Sequence, residues 1–242
     1  MENSARDSRT LWKLTIISGL NRSREIMDTL AARQQMVDQQ IRTWEVLDPR
    51  VLDVFSQVPR EAFVPPEYRE LAFADGPIPI GLGQTMLAPK IQGRILQALS
   101  IAPSDSVLEV GSGSGYLSAC LSLLGSSTRS IDIHPQFTAS AQANLRIVPA
   151  ARVSFETRDA FATAPLGEFD AIAVTGSLPV YDARFERSLR VGGRLFAVVG
   201  EAPVMDAILV RRVDTAEWTR ESLFETVLEP LINATAAQRF VF

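Results

Sequence analysis

A short apolar run that ends in a carboxylate and then breaks into alternating glycines constrains this chain more than any other stretch. It reads Val107-Leu108-Glu109-Val110-Gly111-Ser112-Gly113-Ser114-Gly115-Tyr116 and is followed by apolar residues at helical spacing, Leu117, Cys120, Leu121 and Leu124. The pattern predicts strand, tight turn and helix, the unit that holds a nucleotide-like ligand at a helix N-terminus. The spacing is G-x-G-x-G and not G-x-G-x-x-G, which disfavours a nicotinamide or flavin dinucleotide. Further on, Asp132 closes the run Arg129-Ser130-Ile131-Asp132-Ile133. A carboxylate at the tip of a second strand is placed to take both hydroxyls of a ribose. A glycine turn alone can be only a tight turn; with Glu109 before it and Asp132 after it, the pattern points to a nucleoside cofactor.

Composition removes several alternatives. The formal net charge of −4 lacks the basic surplus of a nucleic-acid surface. One cysteine, Cys120, and one histidine, His134, leave no thiolate metal site, no intrachain disulfide and no histidine-based triad. Cys120 reads as a small core residue, and His134 as a surface residue in a loop before Pro135. The only lysines are Lys13 and Lys90. No apolar run reaches the roughly 18 residues of a membrane span, and Leu11 to Leu20 is short with no cleavage site after it. A cytoplasmic protein is expected.

Residues 1–30 read as a polar, weakly patterned extension of unknown role. Residues 31–100 read as N-terminal helices and a loop covering the site, and 101–242 as the core. From Met36, the residues Val37, Ile41, Trp44 and Leu47 fall on one helical face. Asp48-Pro49 reads as an N-cap followed by proline at the first helical position, opening a helix with Val51, Leu52, Phe55 and Val58. Pro59 to Pro89 is rich in proline and glycine yet carries Phe63, Tyr68, Ile78 and Ile80, so an ordered, packing loop is expected. A helix over Ile91 to Leu99 follows.

Beyond Asp132 the pattern predicts a helix from Pro135 to Leu145 and a strand over Arg152 to Glu156. A buried strand over Phe169 to Val174 follows, with a loop at Thr175-Gly176-Ser177-Leu178-Pro179. A helix around Asp182 to Leu189 leads through Gly192-Gly193 to strands at Arg194–Val199, Ala207–Val213, Thr219–Val227 and Arg239–Phe242. Alternating strands and helices make this an α/β chain: a Rossmann-like, doubly wound, mostly parallel seven-stranded sheet with an N-terminal helical extension.

These pieces together resemble a class I S-adenosylmethionine-dependent methyltransferase, and more narrowly the protein-L-isoaspartate O-methyltransferases. The landmarks are Val58-Pro59-Arg60-Glu61-Ala62-Phe63-Val64-Pro65, Pro79-Ile80-Gly81-Leu82-Gly83-Gln84-Thr85, Leu108 to Tyr116, and Gly192-Gly193-Arg194-Leu195 with Val199-Gly200. The resemblance implies S-adenosyl-L-methionine as cofactor. Glu109, Gly111, Gly113 and Gly115 would border its methionine part, Asp132 would hold the ribose, and Asp159 would lie by the adenine. Ser112, Tyr116, Ile133 and Thr175 join that set, and Gln84 and Thr85 would sit on the loop covering the cofactor. The sequence departs from the family at three places. The serine taken to be catalytic is replaced by Leu87, the residue after Pro89 is Lys90 where histidine is frequent, and the third-strand acidic-glycine pair is Asp159-Ala160.

Methyl transfer from a sulfonium is an in-line displacement, which positioning can accelerate by about 7–11 kcal/mol. A carboxylate acceptor is already ionised at neutral pH, so the scarcity of histidine fits carboxyl methylation; a phenol or amine would call for a base. Donors to such a carboxylate are Thr85, Lys90 and the Thr175–Ser177 loop, with Thr85 and Lys90 the candidate catalytic pair and no metal. The expected reaction is ester formation on an L-isoaspartyl residue in a protein or peptide. Alternatives are another acceptor, such as a small molecule, because of Leu87, or a non-catalytic S-adenosylmethionine-binding module. Neither nucleic acid nor membrane is an expected partner.

Overall fold

The computed structural model of the protein describes residues 27–236. The apolar run Leu11 to Leu20 and the strand expected at Arg239–Phe242 lie outside the described residues.

Helix α1 covers 27–36 and runs on through one π turn at Val37–Ile41 and a 3-10 turn at Arg42–Trp44. Val37 and Ile41 are buried as the spacing predicts, but the face does not extend to Leu47. Glu45 takes a left-handed conformation (φ 61°) that ends the helix, and Leu47 projects outward. Trp44 is exposed, edge-on to Phe224. Helix α2, Pro49–Gln57, starts as its sequence signals: the Asp48 carboxylate accepts from Arg50 N at 2.9 Å and Pro49 needs no donor.

The Pro59–Pro89 segment is ordered, and it holds regular structure the sequence does not signal. After 3-10 turns at Arg60–Ala62 and Pro66–Leu71 comes a hairpin of β1, Ile78–Gly81, and β2, Gln84–Met86. Pro79 inside β1 hides the strand, since proline is tolerated only where no ladder donor is needed, and a two-stranded ribbon is all edge. Helix α3, Pro89–Leu99, follows.

The main sheet is built from β3 (Ser106–Val110), β4 (Ser127–Asp132), β5 (Val153–Thr157), β6 (Phe169–Leu178), β7 (Leu189–Glu201), β8 (Val204–Asp214) and β9 (Glu217–Thr226). Its order is β5-β4-β3-β6-β7-β8-β9, with the pairs among β3 to β7 parallel and β8 antiparallel to both neighbours. Helices α4 (Tyr116–Leu124), α5 (Pro135–Leu145) and the short α6 (Ala183–Arg187) connect parallel strands. The chain reverses its winding between β3 and β6, the place where open α/β sheets leave a crevice at the carboxyl ends of their strands.

Period-two alternation sorts the strands into two cores. Val107, Ala171, Ala173, Phe196 and Val198 face α2, α3 and α4, together with Cys120 and Tyr116. Leu108, Val110, Ile172, Val174, Leu195 and Ala197 face the other way, against Phe185 of α6 and Leu166. Strands buried on both faces read as continuous apolar runs, which is why β3 and β6 are conspicuous in the sequence.

Two boundaries differ from expectation. Thr175–Leu178 is not a loop but the end of β6, because the chain returns there. Ser177 N donates to Glu229 O and Leu231 N donates to Ser177 O, each at 2.9 Å. Gly192-Gly193 lies within β7, where the pairing with β6 is irregular, and does not precede it. The segment 228–234 thus forms a strap across the end of β6.

Arg194 of β7 ties the two halves of the fold. Its guanidinium donates to Leu99 O, to Ser100 O at 2.7 Å, to Asp170 O at 3.2 Å and to the Asp105 carboxylate. Arg194→Met would leave Asp105 without its charge partner and orphan the carbonyls at the end of α3. Such a loss costs about 3–5 kcal/mol, to be read as a lowered urea midpoint with unchanged slope.

Candidate functional site

At the switch point the β3–α4 turn passes through Gly111, Gly113 and Gly115, all at positive φ. At Gly111 (φ 101°) the reason is both conformational and steric: a Cβ there would lie 2.2 Å from Thr175 Oγ1, whose hydroxyl is shared between Val110 O and Gly111 O at 2.9 Å. The tip of β6 therefore locks the start of the turn.

The two carboxylates flanking this turn differ in environment. Asp132, at the tip of β4, accepts from Gly113 N at 3.1 Å on one oxygen and from His134 N at 2.9 Å on the other. It fixes the turn and the start of α5 while its remaining lone pairs face the cleft. Glu109 is fully buried. One of its oxygens accepts from the Ser118 hydroxyl and from Ser130 Oγ at 2.5 Å, and Oε1 is buried with no partner. Burial pushes its carboxyl up to about 8, against the two serine hydroxyls that favour the ion and with the Asp132 charge adding to the rise.

Around these groups lies a cleft with about 940 Å³ of empty space, including its open mouth. Its floor is the tips of β3, β4 and β6. One wall is the hairpin and the start of α3, with Ile80, Gln84, Thr85, Met86, Leu87 and Gln92. The other is formed by Phe137, Phe161 and the strap residues Glu229 to Ile232. Asp159 joins that wall to the strap, accepting from Phe161 N at 2.8 Å and from Asn233 Nδ2 at 2.9 Å.

The cleft brings together Gln84, Thr85, Glu109, Gly111, Ser112, Gly113, Asp132, Ile133, Asp159 and Thr175, all expected in the site from sequence. Three expected residues are elsewhere. Lys90 points away: its ammonium pairs with Asp75 at 2.8 Å and lies 4.5 Å above the Trp44 ring. Tyr116 is fully buried on the helical side of the sheet, packed on Phe55 and Phe63 beneath the Arg60 guanidinium. As the first residue of α4 it turns inward, opposite to the backbone that lines the cleft. Gly115 meets α5, where a Cβ would come within 2.9 Å of Ala141 Cα, so the missing side chain admits that helix.

Sequence reasoning missed the strap, Gln92 and His134. His134 is half-buried at the cleft, edge-on to Phe137, with Nε2 buried and unpartnered; its place directly after Asp132-Ile133 was the available signal. For the strap the signal was absent, since only the sheet's return path brings 229–232 over β6. Among the described residues no group of acidic, histidine or cysteine side chains is arranged to hold a metal.

The sequence model of the family described as Protein-L-isoaspartate(D-aspartate) O-methyltransferase (PCMT) matches residues 31–235. A protein-L-isoaspartate O-methyltransferase of Koribacter versatilis is 37% identical over 202 residues, 83% of this chain and 90% of that protein. One of Methanoregula boonei is 36% identical over 202 residues, covering 83% and 93%. Among solved structures, a candidate protein-L-isoaspartate O-methyltransferase from Plasmodium falciparum, in complex with S-adenosyl-L-homocysteine, superposes with a TM-score of 0.73 at 20% identity. It covers 82% of this chain and 97% of that one, a likeness of fold.

The environment of Glu109 makes stability fall with rising pH. From its ordinary value near 4.5 up to about 8 the unfolded chain releases this proton while the native state keeps it, and above about 8 both are ionised. Glu109→Gln should remove this contribution. Urea midpoints taken between pH 5 and pH 8 should fall less steeply in the variant; equal slopes would place the charge in the folded protein.

Proposed function

Because this chain belongs to the protein-L-isoaspartate(D-aspartate) O-methyltransferase family, we propose that it transfers a methyl group from S-adenosyl-L-methionine to the carboxylate of isoaspartyl residues in proteins. The observation that carries this reading is the extent of the match, residues 31–235, which takes in the hairpin, the glycine turn and the strap alike. A different acceptor, or a module that only binds the cofactor, is not favoured. Relatives bearing the transferase name are 36–37% identical over 83% of this chain. No described helix is long and apolar enough to cross a membrane.

The residues at the cleft fit the cofactor. Gly111 and Gly113 leave two positions of the turn without a side chain at the cleft, Asp132 offers carboxylate lone pairs to a ribose, and the unpartnered Glu109 Oε1 borders the place for a cationic methionine moiety. Asp159, with Phe161 and Phe137, suits the adenine end, and Gln84 and Thr85 close over from the hairpin. S-adenosylmethionine supplies an electrophilic methyl group when bound. The protein's own work is then to hold a carboxylate in line with it and to exclude water. Ile80, Met86, Leu87, Leu231 and Ile232 give an apolar approach, in which a carboxylate nucleophile is less hydrated and polar contacts count for more. No side chain has to remove a proton, because the acceptor is already ionised.

Two measurements test this. Labelled methyl transfer should occur to an isoaspartyl peptide and not to its aspartyl twin. Asp132→Asn should weaken S-adenosylhomocysteine binding by roughly one to two orders of magnitude in calorimetry, since hydrogen bonds to a charged group contribute about 1.5–3 kcal/mol each. Unchanged affinity would remove Asp132 from the ribose site.

A further inference from the structure

The hairpin wall carries a polar group that neither the glycine turn nor the two carboxylates use. Gln92, in the first turns of α3, is 3% exposed and lines the cleft. Its amide cannot rotate freely. Arg60 Nη1 donates to Gln92 Oε1, and an arginine has no acceptor, so the oxygen must face Arg60 and the NH₂ must face away. Among the described residues the hydrogen bond of the Gln92 side chain is the one it accepts from Arg60, which leaves that NH₂ open to the cleft that Gln92 lines.

Arg60 is itself held. It is fully buried, donates from Nε to Ala72 O and from Nη2 to Leu87 O, both at 2.8 Å, and lies 5.0 Å over the Tyr116 ring. No carboxylate pairs with it among the described residues. One planar fork thus grips Gln92 Oε1 and Leu87 O on adjacent nitrogens, and both residues line the same cleft wall. Leu87 offers no donor, and Lys90 is committed to Asp75.

We propose that Gln92, its amide fixed by the buried Arg60, donates a hydrogen bond from Nε2 to the acceptor carboxylate in the cleft. Gln92 then touches substrate, and Arg60 is a positioning residue acting through it. The assignment rests on the carboxyl-methylation reading above. It explains how a wall with leucine at its centre still recognises an anion, and why a cation is buried nearby without an acidic partner: the guanidinium polarises the amide and adds a positive field at the carboxylate.

The test is binding of an isoaspartyl peptide to the full chain loaded with S-adenosylhomocysteine, by calorimetry, for wild type, Gln92→Leu and Gln92→Glu. Gln92→Leu keeps the volume and removes the donor. Gln92→Glu keeps the contact with Arg60 and turns an acceptor toward the peptide, and it serves where the leucine variant folds poorly. Both should bind peptide roughly 10- to 100-fold more weakly with S-adenosylhomocysteine affinity unchanged, and in turnover the KM for peptide should rise by a similar factor. Equal peptide affinity in wild type and both variants would overturn the role of Gln92 and leave the carboxylate reading standing. A parallel loss of cofactor and peptide affinity in both variants would make Gln92 structural and overturn the proposal. A wild-type protein that binds S-adenosylhomocysteine but neither binds nor methylates the peptide would overturn the carboxylate reading and the proposal together.

Discussion

Everything at the site depends on the β3–α4 turn being held from two sides. Asp132 takes the Gly113 amide from one side, and Thr175 hydrogen-bonds the Val110 and Gly111 carbonyls from the other. These are the tips of β4 and β6, the two strands that flank β3. The turn is therefore fixed by the sheet order and not by its own sequence alone, and a Cβ at Gly111 would drive it into Thr175. Because β3, β4 and β6 are buried on both faces, their tips hold together, and the glycine amides of the turn are spent within the fold, Gly111 N on Ile131 O, Gly113 N on Asp132 and Gly115 N on Ser112 O.

Arg60 organises the opposite wall in a comparable way. A buried cation without a carboxylate partner is costly unless its donors are all used. Here each guanidinium nitrogen donates once, to two carbonyls and an amide oxygen drawn from separate segments, the end of a 3-10 turn, the hairpin exit and α3. The hairpin, which has only edges of its own, gains its position from that fork and from Ile78 and Met86 in the core. The strap closes the remaining side through Ser177 and Asn233. Three segments distant in sequence thus meet around the place where cofactor and acceptor would adjoin.

Much of this was legible in the residues. The apolar runs ending in Glu109 and Asp132, the proline-started helices and the glycine turn pointed to the sheet and to ten of the residues that line the cleft, because local periodicity and turn chemistry follow from side-chain type. Lys90, Tyr116 and Gly115 stand off the cleft for one shared reason: sequence adjacency to a site says nothing of which way a residue faces. Tyr116 begins α4 on the face that buries against α2, Lys90 sits on the outer side of α3 within reach of Asp75, and Gly115 faces α5.

The sequence by itself determined the fold class, the glycine turn and its two carboxylates, since each is encoded within a few consecutive residues whose conformational preferences are intrinsic. Only the tertiary structure decided the orientation of the Gln92 amide, the isolation of Glu109 Oε1 and the passage of 228–234 over β6. Each of these is a long-range contact, set by which segments the open sheet and its packed helices bring within hydrogen-bond distance, and no local pattern records that.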